Sequence, residues 1–436
     1  MAPPFPDRFF PANPDLERFR RDARRLQRAV QASDPEALEL VARHHPDGRA
    51  VDPAGFRLAA AQLTVARAYG FPSWPRLRAH LATVRLLGRD PTGRAPGDDP
   101  VDAFCALACL VYGAEDHPDR RAAAVQLSAE HPDLADRSPY AAAALGDPGA
   151  LARHLRHDPG AADRAGGPFR WPPLLYLTYS RVLQRDALAA ARVLLDAGAD
   201  ANAGYLWQGL TPPFTALTGV FGEGEQGSGR QPRHPDADRL ARLLLRRGAD
   251  PNDGQALYNR MFGRDDSHLV LLFEHGLGRS DDGVWRRRLG AATESVEDMM
   301  VRQVLRAVEA GFSERLALLA EHGWGPGTRL ADGRLVGELI RQEADGCPPI
   351  HRAATPAAVA LAVATGADPD ARHEGRTALH QAAFAGDADL VRALLAGGAD
   401  PLLTDDEHGT TPLGWAEWAC QPAAAAVLRE GADPER

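Results

Sequence analysis

One small unit, a helix that ends in a leucine pair followed by Gly-Ala-Asp, recurs along most of this chain. Clear copies end at Gly198-Ala199-Asp200, Gly248-Ala249-Asp250, Gly366-Ala367-Asp368, Gly398-Ala399-Asp400 and Gly431-Ala432-Asp433. Degenerate copies end at Gly276-Leu277-Gly278 and Gly323-Trp324-Gly325. The last clear copies follow one another at a period of roughly 33 residues. Because a unit of that length cannot bury a core alone, consecutive units must stack, and stacking produces an elongated binding surface.

The residues before each glycine have the spacing of one helix face. In the first clear copy, the positions three, four and seven residues before the glycine are Leu195, Leu194 and Ala191. That spacing places all three on one stripe of a helix. Gly198 then occupies the left-handed position at the helix end, which glycine adopts without a Cβ penalty. The pattern therefore predicts helix pairs joined by turns.

Two runs near the C-terminal end carry a family resemblance. Gly375-Arg376-Thr377-Ala378-Leu379-His380-Gln381-Ala382-Ala383 and Gly409-Thr410-Thr411-Pro412-Leu413-Gly414-Trp415-Ala416 resemble the ankyrin run Gly-x-Thr-Pro-Leu-His-x-Ala-Ala. Weaker matches are Thr211-Pro212-Pro213-Phe214 and Trp171-Pro172-Pro173-Leu174. The chain as a whole resembles bacterial ankyrin-repeat proteins. This resemblance implies an all-α fold, an ankyrin-type α-solenoid of stacked helix-turn-helix repeats, and a structural role for His380 between repeats.

Breaker residues and repeat quality divide the chain into segments. The predicted segments are an N-terminal helical-hairpin region at 1–87, a linker at 88–100, divergent helix-pair repeats at 101–166 and ankyrin repeats at 167–436, degenerate at 283–350. The linker is rich in Gly, Pro and Asp and poor in apolar residues, which is the composition of a connection between folded segments.

Two irregularities interrupt the repeats. A Gly/Ser-rich insertion at 222–235 predicts a flexible loop, which either contacts a partner or is a tolerated insertion. The repeat motifs weaken before residue 350, and poor interfaces between repeats uncouple neighbours. We therefore predict a hinge at 325–350; the alternative is that the substituted turns pack equally well.

Motifs and composition argue against several classes of active site. All 50 Lys+Arg positions are arginine, so the phosphate loop that requires a lysine is absent. The His-Glu-x-x-His and Gly-x-Ser-x-Gly motifs are absent too. Four scattered cysteines, at 105, 109, 347 and 420, predict reduced thiols rather than zinc ligands or a disulfide framework. We expect no cofactor, no metal and no enzyme activity, although a site hidden in residues 1–165 stays open.

The first helix carries many arginines. They are Arg18, Arg20, Arg21, Arg24, Arg25 and Arg28. One interpretation is a phosphate-binding helix, which would make the protein a nucleic-acid-binding regulator. The other is the solvated face of a terminal helix, which a solenoid needs for solubility. Asp15, Glu17 and Asp22 dilute the positive charge and favour the second, as does the formal net charge of −9.

The candidate partner-binding residues are aromatic and charged side chains of the groove and the turn tips. Tyr179, Phe384 and Trp418 occupy the same position, directly after the ankyrin frame, in three repeats. In the ankyrin family that register faces the concave groove, and Trp and Tyr are favoured interface anchors; the alternative is burial against the next repeat. The full set is Tyr179, Phe384, Trp418, Arg372, His373, Asp405 and Asp406.

These features predict a non-enzymatic scaffold or adaptor that binds another protein. The chain begins without a basic segment before an apolar one, and no stretch of about 18 apolar residues follows. We therefore expect a cytoplasmic monomer with no membrane contact. Nucleic acid is disfavoured as the partner by the net charge.

Overall fold

The structure is a computed structural model, which describes residues 10–12, 14–92, 97–341, 347–364 and 366–431. The chain divides into two compact units. The first consists of Met1–Phe262 and Glu274–Val296, and the second of Gly263–Phe273 and Glu297–Arg436. This division falls between residues 262 and 297, well before the hinge predicted at 325–350. Residues 342–346 of that predicted hinge lie outside the described residues.

The first unit begins with four helices. Their bounds are α1 (Leu16–Gln31), α2 (Pro35–His44), α3 (Leu58–Ala68) and α4 (Trp74–Leu87). Helix α1 buries one stripe, with Phe19, Ala23, Leu26 and Val30 in the same core cluster. This cluster also takes residues from α2, α3 and α4, so the N-terminal helical-hairpin region has its own core.

The rest of the first unit is a stack of helix pairs. The helices that follow are α5 (Pro100–Ala108), α6 (Pro118–Glu130), α7 (Leu134–Arg137), α8 (Pro139–Ala144), α9 (Pro148–His157), α10 (Pro173–Tyr179), α11 (Ala187–Asp196), α12 (Ala216–Phe221), α13 (Gly227–Arg230), α14 (Ala237–Arg246) and α15 (Gly254–Arg260). Helices α5, α8, α10, α12 and α15 pack one on the next. Helices α9, α11 and α14 form a second row. The stacking thus starts before the clear ankyrin motifs, at residue 100.

The second unit repeats this arrangement. Helix α17 (Val284–Leu289) still belongs to the first unit. The elements of the second unit are α16 (Ser267–Glu274), α18 (Val296–Ala310), α19 (Ser313–Glu321), α20 (Val336–Arg341), α21 (Pro349–Arg352), α22 (Pro356–Ala364), α23 (Ala378–Ala385), α24 (Ala388–Ala396), α25 (Pro412–Trp418) and α26 (Pro422–Gly431). Helix α23 packs on α25, while α22, α24 and α26 form the second row. Among the described residues of the first unit, short 3₁₀ helices lie at Gly48–Ala50, Pro159–Ala162 and Gly290–Ala292.

The helix ends follow the sequence pattern. Asp147, Asp186 and Asp387 each accept a backbone hydrogen bond at the start of a helix, from the third residue after them, which is the N-cap role of a short acidic side chain. Gly198 and Gly398 have φ values of 96° and 94°, the left-handed conformation predicted for them. The prediction of an all-α, ankyrin-type solenoid with an N-terminal helical region is confirmed.

Short strands connect parts of the first unit. They are β1 (Gly88–Arg89), β2 (Gly204–Trp207) and β3 (Phe214–Thr215), in the order β1-β2-β3. Strand β1 pairs parallel with β2, and β2 pairs antiparallel with β3. The start of the predicted linker is therefore hydrogen-bonded to a hairpin more than a hundred residues later. In the second unit, β4 (Arg372–His373) and β5 (Arg376–Thr377) form an antiparallel hairpin.

The insertion at 222–235 differs from the flexible loop that we predicted. Its ends are joined by a hydrogen bond from the Glu223 N–H to the Gln231 carbonyl, at 2.7 Å. Arg230 donates to the Asp116 carbonyl at 2.8 Å, and Arg181 donates to the Pro232 carbonyl at 2.6 Å. Glycine and serine content predicted mobility, but polar contacts to two neighbouring repeats hold the segment in place.

Candidate interaction surface

The loop before α23 builds the framework of the candidate surface. The Thr377 N–H donates to Nδ1 of His380 at 3.3 Å, and Nε2 of His380 lies 3.0 Å from the Thr410 carbonyl. These contacts fit a neutral ring that carries its proton on Nε2. Burial lowers the pKa of His380, and the hydrogen bond to Thr410 opposes this only in part. His380 therefore links two repeats through their backbones, the role that the resemblance implies.

Asp405 organises the turn before α25. Its carboxylate accepts hydrogen bonds from the backbone N–H of His408 at 2.6 Å and of Thr410 at 2.9 Å. The indole N–H of Trp415 donates to the same carboxylate at 3.0 Å. Burial raises the pKa of Asp405, but these hydrogen bonds outweigh it and hold the pKa below its ordinary range. Because the residue is buried and its oxygens are occupied, the structure gives Asp405 an internal role rather than a partner contact.

Arg372 and Asp406 join the tips of two successive repeats. The Arg372 guanidinium lies 2.6 Å from Oδ1 of Asp406 and donates to the Thr404 carbonyl at 2.8 Å. The Asp406 N–H donates to the Gly375 carbonyl at 2.9 Å. Both side chains remain substantially exposed. His373 is half-buried, and its ring centre lies 5.6 Å from that of His351.

Phe384 and Trp418 form an exposed aromatic pair. Their ring centres are 5.9 Å apart with an interplanar angle of 23°. Phe384 is 45% exposed and Trp418 79% exposed. Trp415 completes the group, because its ring centre lies 5.7 Å from that of Phe384 in an edge contact. We call Phe384, Trp415 and Trp418 the aromatic cluster; Trp415 connects it to the turn that Asp405 holds.

Tyr179, the third aromatic residue of the predicted groove, lies elsewhere. It belongs to the first unit and is fully buried, so its prediction as a partner-binding residue is wrong. Its ring packs 5.0 Å from Trp171 and 6.0 Å from Tyr205, and its hydroxyl donates to the Thr215 carbonyl at 2.9 Å. Tyr205 and Thr215 belong to the hairpin of β2 and β3. This hairpin covers Tyr179, whereas the equivalent repeat positions at Phe384 and Trp418 are exposed.

Sequence reasoning missed Trp415 and Arg376. Trp415 follows Gly414, which stands where the ankyrin run has histidine. The Arg376 guanidinium lies 5.6 Å above the Trp415 ring, a cation–π contact. The sequence did contain a signal for Trp415. In this copy of the ankyrin run glycine replaces the histidine and a tryptophan follows it, which indicates that the side chains around this turn pack differently from those of the other copy.

Metal-binding groups and thiols, among the described residues of the whole chain, bear on whether the protein carries reactive chemistry. Among the described residues there is no group of three or more His, Cys, Asp or Glu side chains able to hold a metal ion. Burial raises the pKa of the Cys109 thiol to about 12, although Arg120 and Arg181 oppose the shift. Cys105 is buried too, and burial raises its thiol pKa.

In the described part of the chain, each helix is too short or too polar to cross a membrane.

Comparisons with known proteins identify the repeats. A family model described as ankyrin repeats matches residues 350–436 with three copies. Over 189 residues the chain is 31% identical to E3 ubiquitin-protein ligase KEG of Arabidopsis thaliana. The matched region covers 41% of this chain and 11% of KEG. The solved structure of the human ASB11 ankyrin repeat domain aligns with 68% of this chain and 99% of that domain, at 17% identity and a TM-score of 0.28. The chain contains ankyrin repeats, and it spans about a tenth of the length of KEG.

Proposed function

We propose that this protein is a non-enzymatic scaffold or adaptor that binds another protein through the aromatic cluster. The observation that carries the proposal is the stacked pair of Phe384 and Trp418, which is largely exposed on two packed helices. Large aromatic side chains on a rigid support lose little conformational entropy on binding, and they dominate many interfaces. Ankyrin repeats generally serve protein binding, which agrees with this role.

The charged tips give the surface a polar border. Arg372 and Asp406 lie in the loops that precede α23 and α25, and their partial exposure leaves each able to contact a partner. Rim charges of this kind contribute more to specificity and association rate than to affinity. We therefore expect the aromatic cluster to supply most of the binding free energy and the tips to select the partner.

Two observations bear on the non-enzymatic part of the proposal. The buried thiols of Cys105 and Cys109 have raised pKa values, so neither is a ready nucleophile. The ligase KEG shares only a small part of its length with this chain, so we do not extend its activity to this protein. We further propose a cytoplasmic monomer of bacterial origin.

Site-specific photo-crosslinking tests where the partner lies. A photoreactive phenylalanine analogue is placed at Trp418 and, as a control, at Leu183, which is 90% exposed in the first unit. In extracts of the source cells we expect a discrete adduct from position 418 that excess unlabelled protein abolishes, and no such adduct from position 183. Equal adducts from both positions, or none, would contradict the proposal.

Affinity measurements with the captured protein give the second test. Trp418→Ala and Phe384→Ala should each weaken binding by about tenfold or more, because central aromatic anchors contribute about 2 kcal/mol. Leu183→Ala, which removes an apolar side chain of similar exposure, should leave binding unchanged. Undiminished binding by both aromatic variants would exclude the aromatic cluster as the interface.

A further inference from the structure

We propose that a second surface, on α1, binds the phosphate backbone of duplex DNA. This arginine face consists of Arg18, Arg21, Arg24, Arg25 and Arg28, all of which are exposed. The inference is independent of the protein-binding role of the aromatic cluster. It rests on how the N-terminal core holds α1, on the lack of ion pairs to the five arginines within the described residues, and on the absence of apolar side chains from the arginine face.

The packing of α1 fixes the direction of the arginine face. Phe19, Ala23, Leu26 and Val30 are buried in the N-terminal core. At 3.6 residues per turn, the five arginines lie on the opposite side, within an arc of roughly 120°. Arg18 and Arg28 are ten residues apart, so the face is about 15 Å long. The arginines therefore form one preorganised basic strip on a rigid helix.

The nearby carboxylates leave this strip uncompensated. Glu17 forms its ion pair with Arg20, which is not part of the face. Asp22 is placed four residues after Arg18, yet it forms no ion pair with it. Within the described residues, none of the five arginines has an ion pair or a side-chain hydrogen bond. The dilution by acidic residues that the sequence suggests is thus smaller in the structure.

Charge is segregated along the chain. Residues 1–87 contain 14 arginines and 9 acidic residues, a formal charge of +5. Residues 88–436 contain 36 arginines and 50 acidic residues, a formal charge of −14, which together give the net −9. Because exposed charges are screened beyond about 10 Å at 0.1 M salt, a distant acidic surface does not cancel a local basic one.

The composition of the arginine face selects its occupant. It carries no apolar or aromatic side chain, so it lacks the groups that insert into a membrane interface and the Trp and Tyr anchors that are common in protein hot spots. Its length of about 15 Å spans four or five base pairs along the axis of duplex DNA, at 3.4 Å each, so several phosphates lie within its reach. Guanidinium groups bind phosphate oxygens in a bidentate manner. These features match a regular polyanion of fixed spacing.

The same face lacks groups for reading a base sequence, apart from arginine itself. Gln27 and Gln31, the amides of α1, donate to the Phe56 carbonyl at 3.3 Å and 3.0 Å. They are therefore occupied within the N-terminal core. Contacts to the phosphate backbone position a protein but do not specify sequence, so we expect binding to duplexes of unrelated sequence with similar affinity.

Helix α4 carries two further arginines near the N-terminal end of α1. Arg78 and Arg85 line a cleft together with Leu16 and Asp15, at the N-terminal end of α1. Both arginines are exposed, and in the part of the chain that the structure describes neither forms an ion pair. They are seven residues apart, about 10 Å along the helix. Neither Leu16 nor Asp15 belongs to the arginine face, so these two arginines are not counted among its five phosphate-binding groups.

The test titrates the full chain into a fluorescent duplex of about 20 base pairs. The fluorescence anisotropy of the duplex reports the binding affinity at several salt concentrations between about 50 and 200 mM. We expect the logarithm of the affinity to fall against the logarithm of the salt concentration with a slope of about −4.5, or about −0.9 per arginine. The variant R21Q/R25Q/R28Q should reduce the slope to about −2 and weaken binding at least tenfold at low salt.

The control variant R239Q/R392Q/R429Q removes the same charge elsewhere. Its arginines are exposed and paired with Asp236, Asp389 and Glu417. It should bind the duplex nearly as the parent chain does, and R21K/R25K/R28K should retain most of the affinity because lysine also binds phosphate. Circular dichroism checks that all variants keep their helices. Trp418→Ala should leave DNA affinity unchanged, which separates this proposal from the protein-binding one.

Several outcomes would overturn the assignment. These are no binding of the parent chain at about 50 mM salt, an equal loss in the control variant, or tighter binding to single-stranded RNA than to the duplex. Displacement of the duplex by a poly-glutamate peptide at equal charge concentration would assign the face to an acidic protein instead.

Discussion

The side-chain amide of Gln231 donates a hydrogen bond to Oδ2 of Asp116 at 3.0 Å, across 115 residues of chain. Asp116 is buried, and its carboxylate also accepts from the backbone N–H of Val111 at 3.0 Å and of Tyr112 at 2.8 Å. One carboxylate thus orders its own turn and fastens the 222–235 insertion to the preceding repeats. This contact adds to the hydrogen bonds of Arg230 and Arg181 that hold the insertion in the folded unit.

Asp116→Ala should therefore release the insertion. It leaves buried backbone donors and the Gln231 amide without their acceptor, at a cost of about 1–3 kcal/mol for each unsatisfied group. Hydrogen exchange of amides in 223–232 should accelerate strongly, and the thermal midpoint should fall. Asp119→Ala, at an exposed position of α6, is the matched control and should change neither. Unchanged exchange in the Asp116 variant would show that other contacts suffice.

The aromatic cluster predicts stability losses of different size for two tryptophan substitutions. Trp415 is half-buried and contacts Asp405, Phe384 and Arg376, so Trp415→Ala should destabilise α23 to α26 by about 2–4 kcal/mol. Trp418 is mostly exposed, and Trp418→Ala should cost about 1 kcal/mol or less, the value of one aromatic pair. Hydrogen exchange across these helices measures both. Similar costs for the two would mean that Trp418 is more deeply packed than the structure shows.

The repeat pattern predicted the helices and their ends, but not which groove positions are open. Gly198 and the apolar stripe before it are local signals, since helix geometry depends on neighbours within one or two turns. Tyr179 and Trp418 share one register, yet only Tyr179 is covered, because Tyr205 and the Thr215 backbone pack over it from a hairpin further along the chain.

Long-range polar contacts escaped prediction for a related reason. The pairing of Gly88 with Leu206 and the hydrogen bond of Gln231 to Asp116 join residues that no periodicity links. Short strands and buried polar contacts have no local signal of their own, because their partners are set by the stacking of complete repeats. Counting along the repeat frame placed Phe384 and Trp418 at the same position, but it left their exposure open.

His80 predicts a pH dependence of the N-terminal region. Its buried ring lies 5.1 Å from Phe10 and 5.0 Å from Phe71, and burial lowers its pKa from 6.5 to about 4. Below pH 6.5 the unfolded chain binds the proton more readily, so stability is lost progressively as the pH falls from 6.5 to about 4, and the loss is complete below about 4. Between about pH 7 and pH 5, the opening free energy of α4 should decrease by about 2 kcal/mol.

Hydrogen exchange at several pH values measures this decrease. His80→Phe keeps an aromatic ring but removes the titration, so its α4 should lose less opening free energy on acidification. His117→Phe, at an exposed position, should retain the pH dependence of the parent chain. The same slope in all three proteins would show that His80 takes up its proton without opening the helix.

Arg315 connects 263–273 to the rest of the second unit. Its side chain is fully buried and lies 2.5 Å from Oδ1 of Asp266, with the guanidinium 4.7 Å above the Phe312 ring. Arg315→Met should lower the opening free energy of 263–273 by about 3 kcal/mol, because it strands a partly buried carboxylate. The double variant with Asp266→Leu should recover at least half, since apolar replacement of both partners is often neutral. Equal destabilisation of single and double variants would contradict this account.

Hydrogen exchange also tests the hinge predicted at 325–350. A hinge should exchange faster than the repeats around it. Uniform protection across 283–350, matching that of 375–430, would exclude the hinge.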